Sequence, residues 1–215
     1  MMAYSTDRVA PLEHHRQPTV FVLGADRERL DSLCHTIQFS GIEPRRFLNP
    51  EEMLQCCRQD EVGCIISPML LPRMGGLELR ERLTEADICL SLILTLSTPD
   101  VPLVVSAMKR GATSVLLEPV DANTLIAEIH QSIEVSERAC RKQRSVRNAR
   151  RSLERLSGEE SAVLNLATEG VPNREIAIRL AVSPRTVDRR RQSALQKLGA
   201  ESITEFAILK TLAGM

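Results

Sequence analysis

From Thr19 onward the chain alternates five times between a short apolar run and a longer amphipathic stretch, and few folds accommodate that rhythm. "TVFVL" precedes residues 26–40, "EPRRFL" precedes 50–58, "GCIIS" precedes 75–86, "LILTL" precedes 101–110 and "SVLLE" precedes 121–136. The runs have the length of strands, and the stretches between them repeat apolar residues at helical spacing. Five consecutive βα units predict a doubly wound, five-stranded parallel sheet. The central runs are continuously apolar rather than alternating, as expected where helices cover both faces of a sheet.

The rest of the chain changes character. Residues 138–155, "RACRKQRSVRNARRSLER", contain neither glycine nor proline and hold 8 Lys/Arg against 1 Asp/Glu. Residues 1–137 hold 12 against 20 and residues 156–215 hold 8 against 7, so a net charge of zero conceals an acidic half, a basic segment and a near-neutral end. Such asymmetry points to nucleic-acid contact by the basic part. Val135, Ala139, Val146, Ala149, Leu153 and Leu156 fall at alternating core positions of a heptad, interrupted by Lys142. Two readings stay open for this segment: a helical linker with some tendency to self-pair, and a solvated basic helix.

Four short helices are expected beyond it, at 157–169, 173–180, 184–197 and 201–212. Gly170 and Pro172 stop the first, and Ser183-Pro184 offers an N-cap followed by proline at the first helical position. Two short helices joined by the tight "LAVS" turn predict a helix-turn-helix. The expected division is a flexible tail at 1–17, an α/β domain at 18–134, a basic helical linker at 135–155 and an all-α domain at 156–215.

Other classes fit poorly. With 43% hydrophobic residues the composition is that of a soluble globular protein. The longest apolar run, around Ile88 to Leu96, is about half of what spans a bilayer, and the N-terminus lacks a signal-peptide core, so a cytoplasmic protein without a membrane partner is expected. Cys34, Cys56, Cys57, Cys64, Cys89 and Cys140 show no paired CxxC spacing, and His14, His15, His35 and His130 no metalloenzyme spacing, so no metal, disulfide or cofactor is expected. No nucleophile, base and orienter recur at a plausible spacing, which argues against an enzyme. Aromatic residues make up only 2% of the chain, too few for a platform that stacks single-stranded bases.

The C-terminal stretch "LSGEESAVLNLATEGVPNREIAIRLAVSPRTVDRRRQSALQKLGA" resembles the LuxR-type DNA-binding domain of the NarL/FixJ response regulators, with turn, cap and core positions carried together by "NREIAIRLAVSPRTV" and "KLGA". Upstream, "MLLPRMGGLELRERL" and "DVPLVVSAMKRGATSVLLEPV" resemble the receiver domain of the same family. The resemblance implies an acidic pair after the first strand for Mg²⁺, an aspartate ending the third as phosphoryl acceptor, a hydroxyl ending the fourth and a lysine ending the fifth. Aligned without gaps, those positions hold Gly24 and Ala25, Pro68, Leu96 and Glu118. The family's aromatic switch position holds Val115, and the resemblance implies a cis Glu118–Pro119 bond.

The substitutions remove the chemistry. Mg²⁺ requires hard oxygen ligands, which glycine and alanine lack, and Asp26, one residue further on, does not replace the pair alone. Proline has no nucleophilic atom, so no acyl phosphate forms at residue 68. Glu118 would repel a phosphoryl group by roughly 4 kcal/mol for unit charges about 4 Å apart at an effective dielectric near 20. Ser97 or Thr95 could stand in for the hydroxyl, but neither restores an acceptor.

The expected function is therefore phosphorylation-independent, sequence-specific regulation of transcription through double-stranded DNA, the receiver-like domain serving homodimerisation or the sensing of a protein partner or small-molecule ligand. An adaptor or anti-regulator that works through its acidic domain is the alternative. On the helix starting at Pro184, Val187, Ala194, Leu195 and Leu198 face inward, which turns Arg185, Asp188, Arg189 and Gln192 toward DNA bases. Ser183, Thr186, Arg190 and Lys197 are assigned to phosphates, and Arg191 is expected to pair with Glu175. Were the emptied strand ends to hold a ligand, Gly24, Ala25, Pro68, Leu96 and Val120 would line its pocket.

Overall fold

The computed structural model describes residues 17–214; of the tail expected at 1–17, all but Gln17 lies outside the described residues. Five parallel strands, β1 (Thr19–Leu23), β2 (Pro44–Phe47), β3 (Gly63–Pro68), β4 (Ser91–Leu96) and β5 (Ser114–Leu117), form a sheet of order β2-β1-β3-β4-β5. The helices α1 (Arg27–Gln38), α2 (Pro50–Cys56), α3 (Gly76–Glu85), α4 (Val101–Lys109) and α5 (Ala122–Leu153) alternate with them. This is the doubly wound architecture that the rhythm of the sequence predicts, with its reversal of strand order between β1 and β3.

Alternation along each strand sorts the core into two layers. Val20, Val22, Cys64, Ile66 and Ile93 pack with Leu30, Cys34 and Ile37 of α1 and with Leu125 and Ile129 of α5. Phe21, Leu23, Ile65, Leu92 and Leu94 pack with Met53, Leu79, Leu83 and Ala107 on the opposite face. Each fully buried aliphatic side chain contributes about 1.5–3 kcal/mol. Polar caps set the helix starts: Asp26, Asn49 and Asp100 accept hydrogen bonds from backbone N–H groups of α1, α2 and α4.

The helix expected at 121–136 and the expected linker helix are one continuous α5, since nothing between them breaks a helix. The chain forms two compact units that divide between Cys140 and Arg141. In the second unit α6 (Gly158–Thr168), α7 (Asn173–Arg179), α8 (Pro184–Leu198) and α9 (Ile203–Ala213) follow the end of α5. Ser157 and Glu160 form a reciprocal capping box on α6, and Ala181, with φ +52°, makes the tight turn between α7 and α8. Leu153 and Leu156 pack with Leu164, Ala194 and Phe206, and the Arg150 Nε–H donates to the Ala213 carbonyl at 3.0 Å. Those two heptad positions are thus used inside the helical unit, where burial against α6, α8 and α9 competes with self-pairing.

One close approach fixes the edge of the sheet where its strands begin. The Gly63 N–H donates to the buried Ser136 Oγ of α5 at 3.0 Å, and a Cβ on Gly63 would stand 1.9 Å from the Thr19 carbonyl oxygen. Gly63 also has a φ of +152°, which L side chains rarely adopt. Gly63→Ala should therefore destabilise the protein by more than about 1 kcal/mol, read as a lower urea midpoint with an unchanged slope.

Candidate functional site

At the carboxyl ends of the strands, where β1 and β3 diverge, lies a cleft of about 850 Å³. Gly24 and Ala25 after β1, Pro68 ending β3, Leu96 ending β4 and Glu118 after β5 all line it, together with Val120 and with Asp26 and Arg29 from the start of α1. The positions that the resemblance assigns to phosphoryl chemistry therefore meet in space. Pro68 closes β3 beside Thr95, and the Met69 N–H donates to the Thr95 carbonyl at 2.8 Å, so the missing proline donor leaves no gap in the sheet. The Glu118–Pro119 bond is cis, as the resemblance implies.

Glu118 organises the floor of the cleft. Its Oε1 accepts from the Thr95 Oγ1 hydroxyl at 2.7 Å, its Oε2 from the Ser97 hydroxyl at 2.9 Å, and the Arg29 guanidinium lies 3.8 Å away. Both hydroxyls that the sequence offered as substitutes for Leu96 are thus occupied by a carboxylate. Asp26 caps α1, accepting from the Arg29 N–H at 2.9 Å, and so is engaged in helix structure. A Cβ on Gly24 would come within 2.7 Å of the Leu30 Cβ, so an acidic side chain there requires α1 to shift. The approach of Arg29 to Glu118 has no signal in the sequence, because it depends on how α1 sits beside β5.

The second site is the outer face of α8. Val187 and Ala194 are buried and Leu195 and Leu198 half-buried, while Arg185, Asp188, Arg189 and Gln192 are all exposed, as helical phase predicts. Ser183 caps the helix: its Oγ accepts from the Thr186 N–H at 3.1 Å and is hydrogen-bonded to the Thr186 hydroxyl at 2.9 Å. Asp188 accepts from Asn173 Nδ2 at 2.6 Å, which ties α8 to the start of α7.

One expected pairing needs correction, and two cations assigned to phosphates have carboxylate partners in the free protein. Lys197, assigned to phosphates, donates to Glu160 Oε2 at 2.8 Å, and Glu160 is buried with 6% of its surface exposed. Arg190, also assigned to phosphates, is ion-paired with Glu159 and its side chain is only 18% exposed. Arg191 does not pair with Glu175, whose partner is Arg179 one turn along α7. Lys197 and Arg190 meet carboxylates of α6, which the linear sequence does not bring beside α8, and Glu175 meets an arginine of its own helix.

Glu160 joins α6 to α8. Besides Lys197 it accepts from the Ser193 hydroxyl at 2.8 Å and from the Ser157 N–H at 2.8 Å. The Lys197 hydrogen bond, reinforced by Ser157 and Ser193 and opposed by burial, holds its carboxyl down to about 2. The spacing Ser157 to Glu160 is a capping-box signature visible in the sequence, whereas its two partners on α8 are not.

A receiver-type sheet followed by a helix-turn-helix unit defines a class of DNA-binding regulators, and comparison with known proteins agrees. The family model for the response regulator receiver domain matches residues 20–130, and that for bacterial regulatory proteins of the luxR family matches residues 154–210. The transcriptional regulatory protein FixJ of Azorhizobium caulinodans is 30% identical over 91% of this chain and 93% of its own, and nodulation protein W of Bradyrhizobium diazoefficiens is 29% identical over 91% and 86%. The solved structure of the response regulator StyR superposes with a TM-score of 0.77 at 28% identity, covering 90% of this chain and 98% of that one. This chain belongs to the NarL/FixJ family of response regulators, with a receiver domain and a LuxR-type domain, and is a DNA-binding transcription factor of that type rather than an enzyme. Among the described residues no helix is long and apolar enough to cross a membrane.

The Glu160 network predicts an acid-sensitive helical unit. An unfolded glutamate takes up its proton near the ordinary value of 4.5 and the folded one only near 2, so acid protonates the unfolded chain first. The stabilisation is complete above about pH 5 and is lost as the pH falls toward 2. Glu160→Gln should cost about 1–3 kcal/mol at pH 7 and flatten the dependence of the helical unit's thermal midpoint on pH between 5 and 2, followed by circular dichroism.

Proposed function

We propose that the chain is a sequence-specific transcription regulator that acts without aspartyl phosphorylation, its receiver domain serving as a degenerate, constitutively pairing module. The observation that carries this is the strand-end cleft, where Pro68 stands at the acceptor position and Glu118 holds the hydroxyls of Thr95 and Ser97. A receiver without acceptor, metal ligands or lysine has no route to an acyl phosphate. The exposed side chains of Val101, Val105 and Met108 on α4 and of Leu117 on β5 support a homodimer formed through that face. The apolar walls that Pro68, Leu96 and Val120 give the cleft support a variant of the same reading, in which a small-molecule input enters there.

Addition of Mg²⁺ with acetyl phosphate or beryllofluoride should change neither oligomeric state nor DNA affinity, and sedimentation at tens of micromolar should give a dimer with or without them. A stoichiometric phosphate on the receiver domain that is labile to alkali and hydroxylamine, as an acyl phosphate is, would falsify the proposal. Pro68→Asp alone should restore nothing, because Gly24, Ala25 and Glu118 remain and the Leu30 side chain blocks a larger residue at 24.

On the DNA side, α8 enters the major groove and Arg185, Asp188, Arg189 and Gln192 read bases, with Ser183, Thr186, Arg190 and Lys197 at the backbone, the last two once they leave Glu159 and Glu160. Arg189 can fork to guanine and Gln192 can pair with adenine, while Asp188 can accept from cytosine if it leaves Asn173. Arg189→Ala should cost about 1–3 kcal/mol on the best site and relax preference at one base pair, measured on a panel of single-substitution duplexes. A uniform loss over all duplexes, with preference intact, would move the base-reading role to another residue.

A further inference from the structure

The basic segment is not used by the α8 face, and its place in the fold gives it a role. We propose that the outer face of the last turns of α5, carrying Arg141, Arg144, Arg151 and Arg155, is a second DNA contact that grips phosphates flanking the site read by α8. It rests on the reading of the helical unit as the DNA-binding part and extends the footprint of that unit.

Three observations support it. At 100° per residue, Arg141, Arg144, Asn148, Arg151 and Arg155 fall within an arc of about 80°, and all five are exposed. The helical turn continues to Arg155, whose N–H donates to the Ser152 carbonyl at 3.2 Å. Opposite that arc, Leu153 enters the core that contains Ala194, Leu195 and Leu198 of α8, and Arg150 is tied to the end of α9. The stripe is therefore fixed to the unit that carries the recognition helix. Finally, Leu156 joins the same core, and three residues further on Glu159 is ion-paired with Arg190 on the flank of α8, so the start of α6 links the end of the stripe to the recognition helix.

The chemistry of the stripe selects the backbone rather than the bases. Arginine suits phosphate through its fork of donors, and a row of four along one helix, without aromatic or amide residues other than Asn148, offers charge but little base discrimination. From residue 141 to 155 a helix rises about 21 Å, long enough to follow several phosphates of a duplex strand. Among the described residues neither Arg151 nor Arg155 is paired with a carboxylate, and Glu154 is the single acid in residues 138–155.

The test uses the full-length protein with R144Q/R151Q/R155Q, which keeps helix-compatible side chains, and a control, R58Q/R82Q, that removes charge from the α/β unit. Binding is measured against salt on a duplex selected by the wild type and on its scrambled counterpart. The triple variant should lower the slope of log K against log salt by about 2–3 on both duplexes, leave the ratio between them unchanged and keep the thermal midpoint, while the control keeps the wild-type slope. Should the triple variant lose helicity, R151Q alone should lower the slope by about 0.9. An unchanged slope overturns the proposal, and so does tighter binding by the variant, which would mean that the stripe is covered by the chain's own acidic half. A wild type that does not distinguish the two duplexes would instead sink the reading of α8, whereas the slope on the scrambled duplex would still decide the role of α5.

Discussion

Burial of β1, β3 and β4 on both faces is the constraint from which the receiver unit follows. With apolar side chains pointing into two helix layers, polar side chains have room at the strand ends, and the reversal of strand order between β1 and β3 opens a cleft there. A family member that transfers phosphate places carboxylates and a lysine around such a cleft. Here the same backbone positions present proline, glycine, alanine and leucine, and the one charged group, Glu118, is held by two hydroxyls and approached by a guanidinium. The proposed loss of phosphorylation is thus a change of side chains on the same sheet, with α1 packed too close to Gly24 for an acidic side chain there.

The helical unit depends in a similar way on one buried carboxylate. Glu160 caps its own helix, takes the Ser193 hydroxyl and neutralises Lys197, so that α6 and α8 are joined by a charge-assisted network at the edge of an apolar core. Such a network favours a single geometry because each member is satisfied only when the others are in place. That precision matters for the proposed base reading by the outer side chains of α8. In the free protein the network also holds Lys197 against Glu160.

The end of α5 connects these themes. Leu153 and Leu156 belong to the core of the helical unit, which turns the arginines on the opposite side of the helix into a fixed surface rather than a loose basic tether. A heptad pattern that suggests pairing between chains is partly explained by packing within one chain.

The sequence by itself determined the doubly wound sheet, the four helices and the helix-turn-helix, because period, caps and turn residues are local and each element announces itself within a few residues. It also determined that Pro68 cannot accept a phosphoryl group, since that follows from atoms the residue lacks. The inward and outward faces of α8 were legible from helical phase, and Arg185, Asp188, Arg189 and Gln192 are exposed as that phase requires. Only the tertiary structure decided which groups meet the charges: the hydroxyls of Thr95 and Ser97 donate to Glu118, Arg190 pairs with Glu159, and Lys197 with Glu160. These partners lie 21 to 37 residues apart, and the linear order of a chain does not state which helix faces will meet once the apolar surface is buried.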